Sequence, residues 1–504
     1  MDKKKGIRNI LVSLGFKIFL LIGSIIVKRF VIQYLGNDIN GLNSLYLSIV
    51  GMLAVAELGV GEAITFCMYK PIVEGDAQKV SALYRLMKKI YLIIFAVIMV
   101  CGLCVMPFLK TLAKDYTSTE SLYLTFVVML ISSAATYLFG AKTSLINAHK
   151  NNDVTTTILS TGTLLQYGLQ IASILLTNSF LGYLCCRVVA VALQWIVTEL
   201  VAKKKYGSII SGREKIDDET RRTVVKNTKA MFMHRVGTML VSTADSTIIS
   251  AYIGVVVLGK YSNYTTIMSS MTQILMLCFT PLTAVIGQAC VSKDSKRVNS
   301  YFGFFHGFNF LLGMVFFLGY YAVIDNLIGI LFGGGLTLDT ATVRIITINY
   351  FIQFMRKSAL LFRDSTGTFY NDRWKPLAEG IVNIVLSIWF VNRFGVGGVL
   401  IATIITNLTI CCVVEPYVLH KHVFHAPAWK FYLKNYFYIA LFVGCVFLFD
   451  LVRLPMENAW ADFFANGMLS VAISCVICLV ILYINRDFKH HAKNLLKDFT
   501  RKRK

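Results

Sequence analysis

Runs of about twenty apolar residues, separated by short polar or basic stretches, recur along the whole chain. They fall at roughly 10–32, 42–68, 87–109, 121–141, 155–177, 180–202, 230–253, 262–290, 302–324, 342–362, 377–391, 395–419, 436–454 and 463–484. A helix rises about 1.5 Å per residue, so most of these runs can cross a hydrocarbon layer of roughly 30 Å. They leave no room for a sizeable soluble domain. The pattern predicts an all-α polytopic membrane protein of about fourteen transmembrane helices.

Composition agrees: 56% of the 504 residues are hydrophobic and 15% charged, and the mean hydropathy is +0.64, too apolar for a soluble protein of this length. A net charge of +23 would suggest nucleic-acid binding in a soluble chain, so the placement of the basic residues decides its meaning. They alternate by loop. Lys3, Lys4, Lys5 and Arg8 precede the first run, and Lys70, Lys79, Arg85, Lys88 and Lys89 follow the second. Nine Lys and Arg lie between Lys203 and Lys229, and the chain ends Arg501-Lys502-Arg503-Lys504. The intervening loops hold little beyond Lys110, Lys114, Lys260, Arg393 and Arg453. Positive loops stay inside, which predicts cytoplasmic termini and an even helix count. The expected location is a bacterial plasma membrane, with no nucleic-acid partner. The first run carries Lys17 and lacks an Ala-x-Ala site, so it reads as a retained helix. The twelve cysteines sit almost wholly in apolar runs as small hydrophobes.

Slid against itself, the chain shows a weak repeat at an offset of 218. Asn9 meets Asn227, Lys17 meets Arg235, Ser24 meets Ser242, and Tyr34-Leu35-Gly36 meets Tyr252-Ile253-Gly254. Gly41, Ser44 and Tyr46 meet Gly259, Ser262 and Tyr264. Near an offset of 220, Asn151-Asn152-Asp153 echoes Asn371-Asp372-Arg373. Each copy holds six helices, and an even number makes the copies parallel repeats about an axis along the membrane normal. The expected divisions are a six-helix bundle at 1–202, a basic cytoplasmic linker at 203–229, a second bundle at 230–425, two additional helices at 426–484 and a basic tail at 485–504. In that tail Phe488, Leu495, Leu496 and Phe499 fit one face of a helix lying on the inner leaflet.

An ionisable side chain inside a membrane run is costly enough to mark a functional candidate. Lys17 lies about 10 Å into the first helix and Arg235 at the matching depth of the seventh, where both could face a cavity. Lys28, eleven residues after Lys17, shares its side of the helix, and Arg29 is its neighbour. The acids Glu57, Glu62 and Asp245 are candidates for charge balance or for proton or sodium coupling, and Asn263 and Gln273 for polar contacts. Arg187, Arg344 and Arg356, near helix ends, are expected to stretch to the interface, and His149, His420, His422 and His425 to be solvated. Leu58-Gly59-Val60-Gly61 permits a bend or a close helix contact. No phosphate-loop, zinc-site or Asp-x-Asp pattern occurs, so neither a metal nor a cofactor is expected.

Glu57-Leu58-Gly59-Val60-Gly61 running into Tyr69-Lys70-Pro71 and Gly75-Asp76, with Asn371-Asp372-Arg373-Trp374-Lys375-Pro376, Asn383 and Phe394-Gly395-Val396-Gly397-Gly398, carries a resemblance. Over essentially its whole length the chain resembles the polysaccharide transporters of the multidrug/oligosaccharidyl-lipid/polysaccharide flippase superfamily, the Wzx-type O-antigen and capsule flippases. The resemblance implies a V-shaped pair of bundles and alternating access. It also implies a cationic central cavity that takes an undecaprenyl-diphosphate-linked oligosaccharide, with membrane lipids and a polysaccharide polymerase or glycosyltransferases as partners. Related flippases line the cavity with basic residues on helices one, two, seven and eight; only Lys17, Lys28 and Arg235 match in kind and place. The acids leave a cation-coupled multidrug antiporter as the alternative. A membrane enzyme is not expected, because the outward loops gather no acid/base cluster.

Overall fold

The computed structural model describes residues 3–57, 59–212, 243–291, 295–368 and 371–484, with isolated positions between 213 and 242. Arg235, most of the linker and the 485–504 tail lie outside the described residues. The protein is an all-α multi-pass membrane protein, and among the described residues there is no strand. Among the described residues, nine helical stretches are long and apolar enough to cross a membrane, the one from Lys375 to Phe424 having room for two passes. Their outer faces remain apolar, with Leu176 and Leu451 more than 80% exposed, as lipid contact requires.

Two compact units divide the chain, Met1–Ser262 and Asn263–Lys504. The first contains α1 (Lys3–Phe30), α2 (Asn37–Leu53), α3 (Val60–Glu74), α4 (Ala77–Val105), α5 (Leu122–Ala134), α6 (Thr136–Ala148), α7 (Asn152–Thr177) and α8 (Phe180–Ser211). Starts and stops follow local chemistry. Asp76, Ser121 and Ser179 accept from the backbone N–H groups of Lys79, Leu124 and Gly182 at the beginnings of α4, α5 and α8. The Glu120 carboxylate adds bonds from the Phe180 and Leu181 N–H groups, at 2.6 and 2.9 Å. Gly75 ends α3 in the left-handed region. The second run is broken: α2 passes through a 3-10 turn at Ala54–Glu57, and Gly59 (φ +73°) redirects the chain into α3. α8 does not stop at residue 202. It continues to Ser211 through a kink at Tyr206, because a helix that leaves the membrane has no reason to end among lysines.

The contact division falls at Ser262, beyond the linker, because residues 243–262 are tied to the first unit. Ser250 Oγ donates to the Leu112 carbonyl at 2.6 Å, Lys114 Nζ to Tyr252 at 2.8 Å, and Asn37 Nδ2 to Val256 at 2.8 Å. The repeat appears here in atomic detail. A Cβ on Gly41 would lie 1.8 Å from the Val255 carbonyl oxygen, and one on Gly259 would lie 2.4 Å from that of Asn37. Asn37 and Val255 are themselves 218 apart, so equivalent glycines rest reciprocally on equivalent carbonyls. Gly36 and Gly254, just before each crossing helix, both have positive φ, +98° and +129°.

The second unit takes up α9 (Val255–Val291, which begins in the first), α10 (Ser295–Phe332), α11 (Thr340–Met355), α12 (Lys357–Thr366), α13 (Lys375–Thr406), α14 (Cys412–Leu419), α15 (Trp429–Val452) and α16 (Ala459–Ile484). Gly395 (φ +56°) breaks α13 where the sequence placed a boundary between two spans. The core is aromatic. Phe351 stacks on Phe442 with ring centres 3.7 Å apart, and Phe310 on Tyr438 at 4.2 Å.

Candidate translocation site

Helix α1 carries Lys17, Lys28 and Arg29 in or beside its apolar stretch Gly15–Leu35. Eleven residues at about 100° each bring Lys28 within about 20° of Lys17 after three turns, so both occupy one face. Gly23 marks a different face: a Cβ there would sit 2.6 Å from the Tyr167 ring of α7. Lys17 and Lys28 lie roughly 120° and 140° around the helix from it. The two ammonium groups therefore point away from the α7 contact. Lys28 is half-buried, and its Nζ donates to the Ser262 carbonyl at 2.7 Å and to Ser262 Oγ at 2.9 Å. Asn40 Nδ2 reaches the same hydroxyl at 3.3 Å and the Gly259 carbonyl at 3.0 Å. The glycine crossing thus fixes the floor on which Lys28 rests. Lys17 and Arg29 are exposed, and neither has an ion-pair partner among the described residues.

Glu57, half-buried at the break between α2 and α3, accepts a 3.2 Å bond from Tyr91 of α4, and the Tyr137 hydroxyl joins it. Gly61 makes room for this contact, since a Cβ there would be 2.1 Å from the Tyr91 oxygen. Glu62 is exposed, and Asp245 is half-buried in the helical residues 243–252. Asn263 is fully buried and Gln273 exposed.

Three expected interface-seeking arginines are instead engaged within the protein. Arg187 donates to Ser133 Oγ at 3.2 Å. Arg344 pairs with Asp450 at 2.7 Å and donates to the Tyr321 hydroxyl. Arg356 holds Glu415 through Nη2 at 2.6 Å and Nε at 3.2 Å, reaches Glu379 at 3.3 Å and donates to Asn407. Lys375 bridges the same carboxylates at 2.7 and 2.8 Å. His420 is likewise buried, its ring centre 5.1 Å from Phe424 and its Nδ1 2.9 Å from the Pro416 carbonyl. Full satisfaction of the charges costs less than burying chain ends that stretch past apolar neighbours.

Sequence reasoning missed a related pair in the first unit, Lys142 with Glu199, which Lys203 also touches at 3.2 Å. Lys142 and Arg356 are 214 apart, and Glu199 and Glu415 are 216 apart. A search for paired charges near the repeat offset would have found both locks.

No protein-family model matches the sequence, and no curated protein does. Solved structures do. One is described as the lipid II flippase MurJ in an inward closed conformation; it matches with a TM-score of 0.63 at 15% identity, over 94% of this chain and 100% of that one. An inward-facing multidrug resistance MATE family transporter of the MOP superfamily matches at 0.58 and 13%, over 86% and 98%. The MATE multidrug transporter DinF-BH in complex with R6G matches at 0.57 and 13%, over 85% and 97%. The chain shares the fold of these solved flippase and multidrug transporter structures. Within that fold, the first helix carries Lys17, Lys28 and Arg29, and the α2–α3 break carries Glu57.

Proposed function

We propose that this protein is a lipid-linked oligosaccharide flippase, moving saccharide units on undecaprenyl diphosphate from the cytoplasmic to the outer face of a bacterial plasma membrane by alternating access, with both termini in the cytoplasm. The observation that carries this reading is the shared face of Lys17 and Lys28, turned away from the α7 contact. A diphosphate brings about two negative charges, and hydrocarbon excludes it unless fixed cations replace its water. One such contact at 4 Å is worth about 4 kcal/mol at an effective dielectric of 20. Lys28 is held in place by Ser262, while Lys17 is exposed and open to an anionic group. The lipid II flippase also matches more of this chain than the multidrug transporters do, 94% against 86% and 85%. Flux by this route would serve a polymerase or glycosyltransferases acting on the outer face.

The test is the sidedness of undecaprenyl-diphosphate oligosaccharide in cells with and without the protein. Loss should accumulate the lipid on the cytoplasmic face, the wild type should clear it and Lys17→Ala should not. An unchanged pool, or full clearance by Lys17→Ala, refutes the proposal. A second reading, a cation-coupled small-molecule antiporter, draws on Glu57 at a helix break, where transporters place coupling ions. It predicts proton- or sodium-driven efflux in vesicles that Glu57→Gln abolishes.

A further inference from the structure

Arg187 is the single charged residue between Asp153 and Glu199, and it points into the first bundle. On α8 it continues the buried stripe of Tyr183, Ala190, Val191 and Gln194, positions that share one helix face. Its guanidinium ends between two buried side chains of α5, with Nη1 3.4 Å from Met129 Sδ and Nη2 donating to Ser133 Oγ at 3.2 Å. A thioether is a weak acceptor, and a hydroxyl carries no charge. The guanidinium is therefore held in place without being neutralised, and three of its five N–H groups have no acceptor among the described residues.

No carboxylate is placed to answer it. Helix α5 contains none, and Glu199 stands twelve residues along α8, roughly 18 Å away on the axis, where Lys142 and Lys203 already pair with it. Glu120, at the start of α8, gives its oxygens to the Ser179 hydroxyl and to the Phe180 and Leu181 N–H groups. The other groups near Arg187 are neutral and able to donate. The phenols of Tyr183, one turn back on α8, and of Tyr167 on α7 lie within its electrostatic reach, and Asn43 of α2 approaches the Tyr183 hydroxyl. Arg187 is half-buried although Tyr183, Ala190 and Val191 on its stripe are buried. The exposed part of its surface therefore lines a space at least as wide as a water molecule.

We infer that Arg187 is the centre of an anion site inside the first bundle, suited to one small monovalent anion such as chloride. One such anion balances one cation, whereas a divalent ion would leave a net charge among apolar walls. Met129, Ser133 and Tyr183, all buried, confine the occupant to a small one. The site lies behind α1: Tyr167 packs at Gly23, on the face from which Lys17 and Lys28 turn away, so it is separate from the proposed cargo path.

Melting of the purified full-length protein in detergent, with chloride exchanged for gluconate at constant ionic strength, tests it. Chloride at ten times its dissociation constant should raise the folded-to-unfolded ratio about elevenfold, a midpoint rise of a few degrees that saturates. Arg187→Gln should abolish the rise, while Arg187→Lys, which keeps the charge, should respond at several-fold higher chloride. A merely structural role for the arginine would lower the midpoint of Arg187→Gln in both salts and leave their difference intact. Bromide soaked into crystals of the wild type should give an anomalous peak in contact with the guanidinium. Equal wild-type midpoints in the two salts, a full chloride response in Arg187→Gln, or the absence of bromide from the guanidinium would overturn the inference.

Discussion

Replacing Gly41 by alanine tests whether the repeat-related crossing holds the first unit together. The added Cβ would lie 1.8 Å from the Val255 carbonyl oxygen and 2.9 Å from the Gly259 nitrogen. Both are backbone atoms, so no rotamer change relieves the clash, and the helices must separate by about 1 Å or more to restore contact distance. Overpacking of this kind costs about 1–3 kcal/mol. Separation also stretches the Asn40 bond to Gly259 and the Asn37 bond to Val256, at 3.0 and 2.8 Å, each worth about 0.5–1.5 kcal/mol. The expected loss is about 2–6 kcal/mol. Gly259→Ala, meeting Asn37 at 2.4 Å, should fall in the same range. Gly329→Ala in α10 meets nothing within 4 Å and should be neutral or gain about 0.5–1 kcal/mol through helix propensity. Melting of the purified protein in detergent, followed by the size-exclusion peak, ranks the three. Once the helices have parted for one methyl, the second costs less, so the double variant should lose less than the sum. Melting of Gly41→Ala together with Gly329→Ala, or strict additivity of the pair, would refute the reciprocal contact.

Glu415→Gln leaves Arg356 and Lys375 facing Glu379 alone in a buried cluster, and should destabilise the second unit by about 3–5 kcal/mol in the same melting assay, with part of the loss recovered on adding Lys375→Met. Lys142→Ala strands most of the Glu199 charge and should cost about 2–4 kcal/mol, whereas Lys203→Ala, removing a side chain 65% exposed, should cost under about 1 kcal/mol. Tyr91→Phe removes one bond from Glu57 and should cost about 1–2 kcal/mol; Gly61→Ala, which displaces the whole ring, should cost more.

The span pattern and the bend before Gly61 were legible because hydropathy and glycine act locally. The 218-residue offset was legible too, and its glycines prove to be the atoms in contact. The fate of the arginines was not. Arg356 near a span end looks the same in sequence whether its guanidinium reaches headgroups or a carboxylate fifty-nine residues later, and only tertiary packing brings Glu415 to it. His420 was hidden for the same reason, since a histidine beside Lys421 reads as solvated until Phe302, Phe424 and Phe431 close around its ring. The extension of α8 to Ser211 was obscured by Lys203-Lys204-Lys205, a run that marks the edge of the membrane and says nothing about where the helix stops.

Charge partnering then sorts these residues by role. Lys142, Arg344, Arg356 and Lys375 are each answered by a carboxylate inside their own unit, and a neutralised lock offers little field to a passing anion. Their removal should therefore be read in stability. Lys17 and Arg29 are different: no acid answers them among the described residues, although the unfavourable transfer of a cation toward hydrocarbon gives every reason to supply one. A cation kept without a partner is costly to fold, and that cost is recovered when an anion arrives. On this argument, Lys17→Ala should leave the melting midpoint unchanged or raise it, because the folding cost of the cation is removed with it, while abolishing clearance of the lipid-linked saccharide. Substitution of Arg356 should lower the midpoint whether or not transport is measured. A Lys17 variant that melts early while still clearing the lipid would reverse the assignment of both.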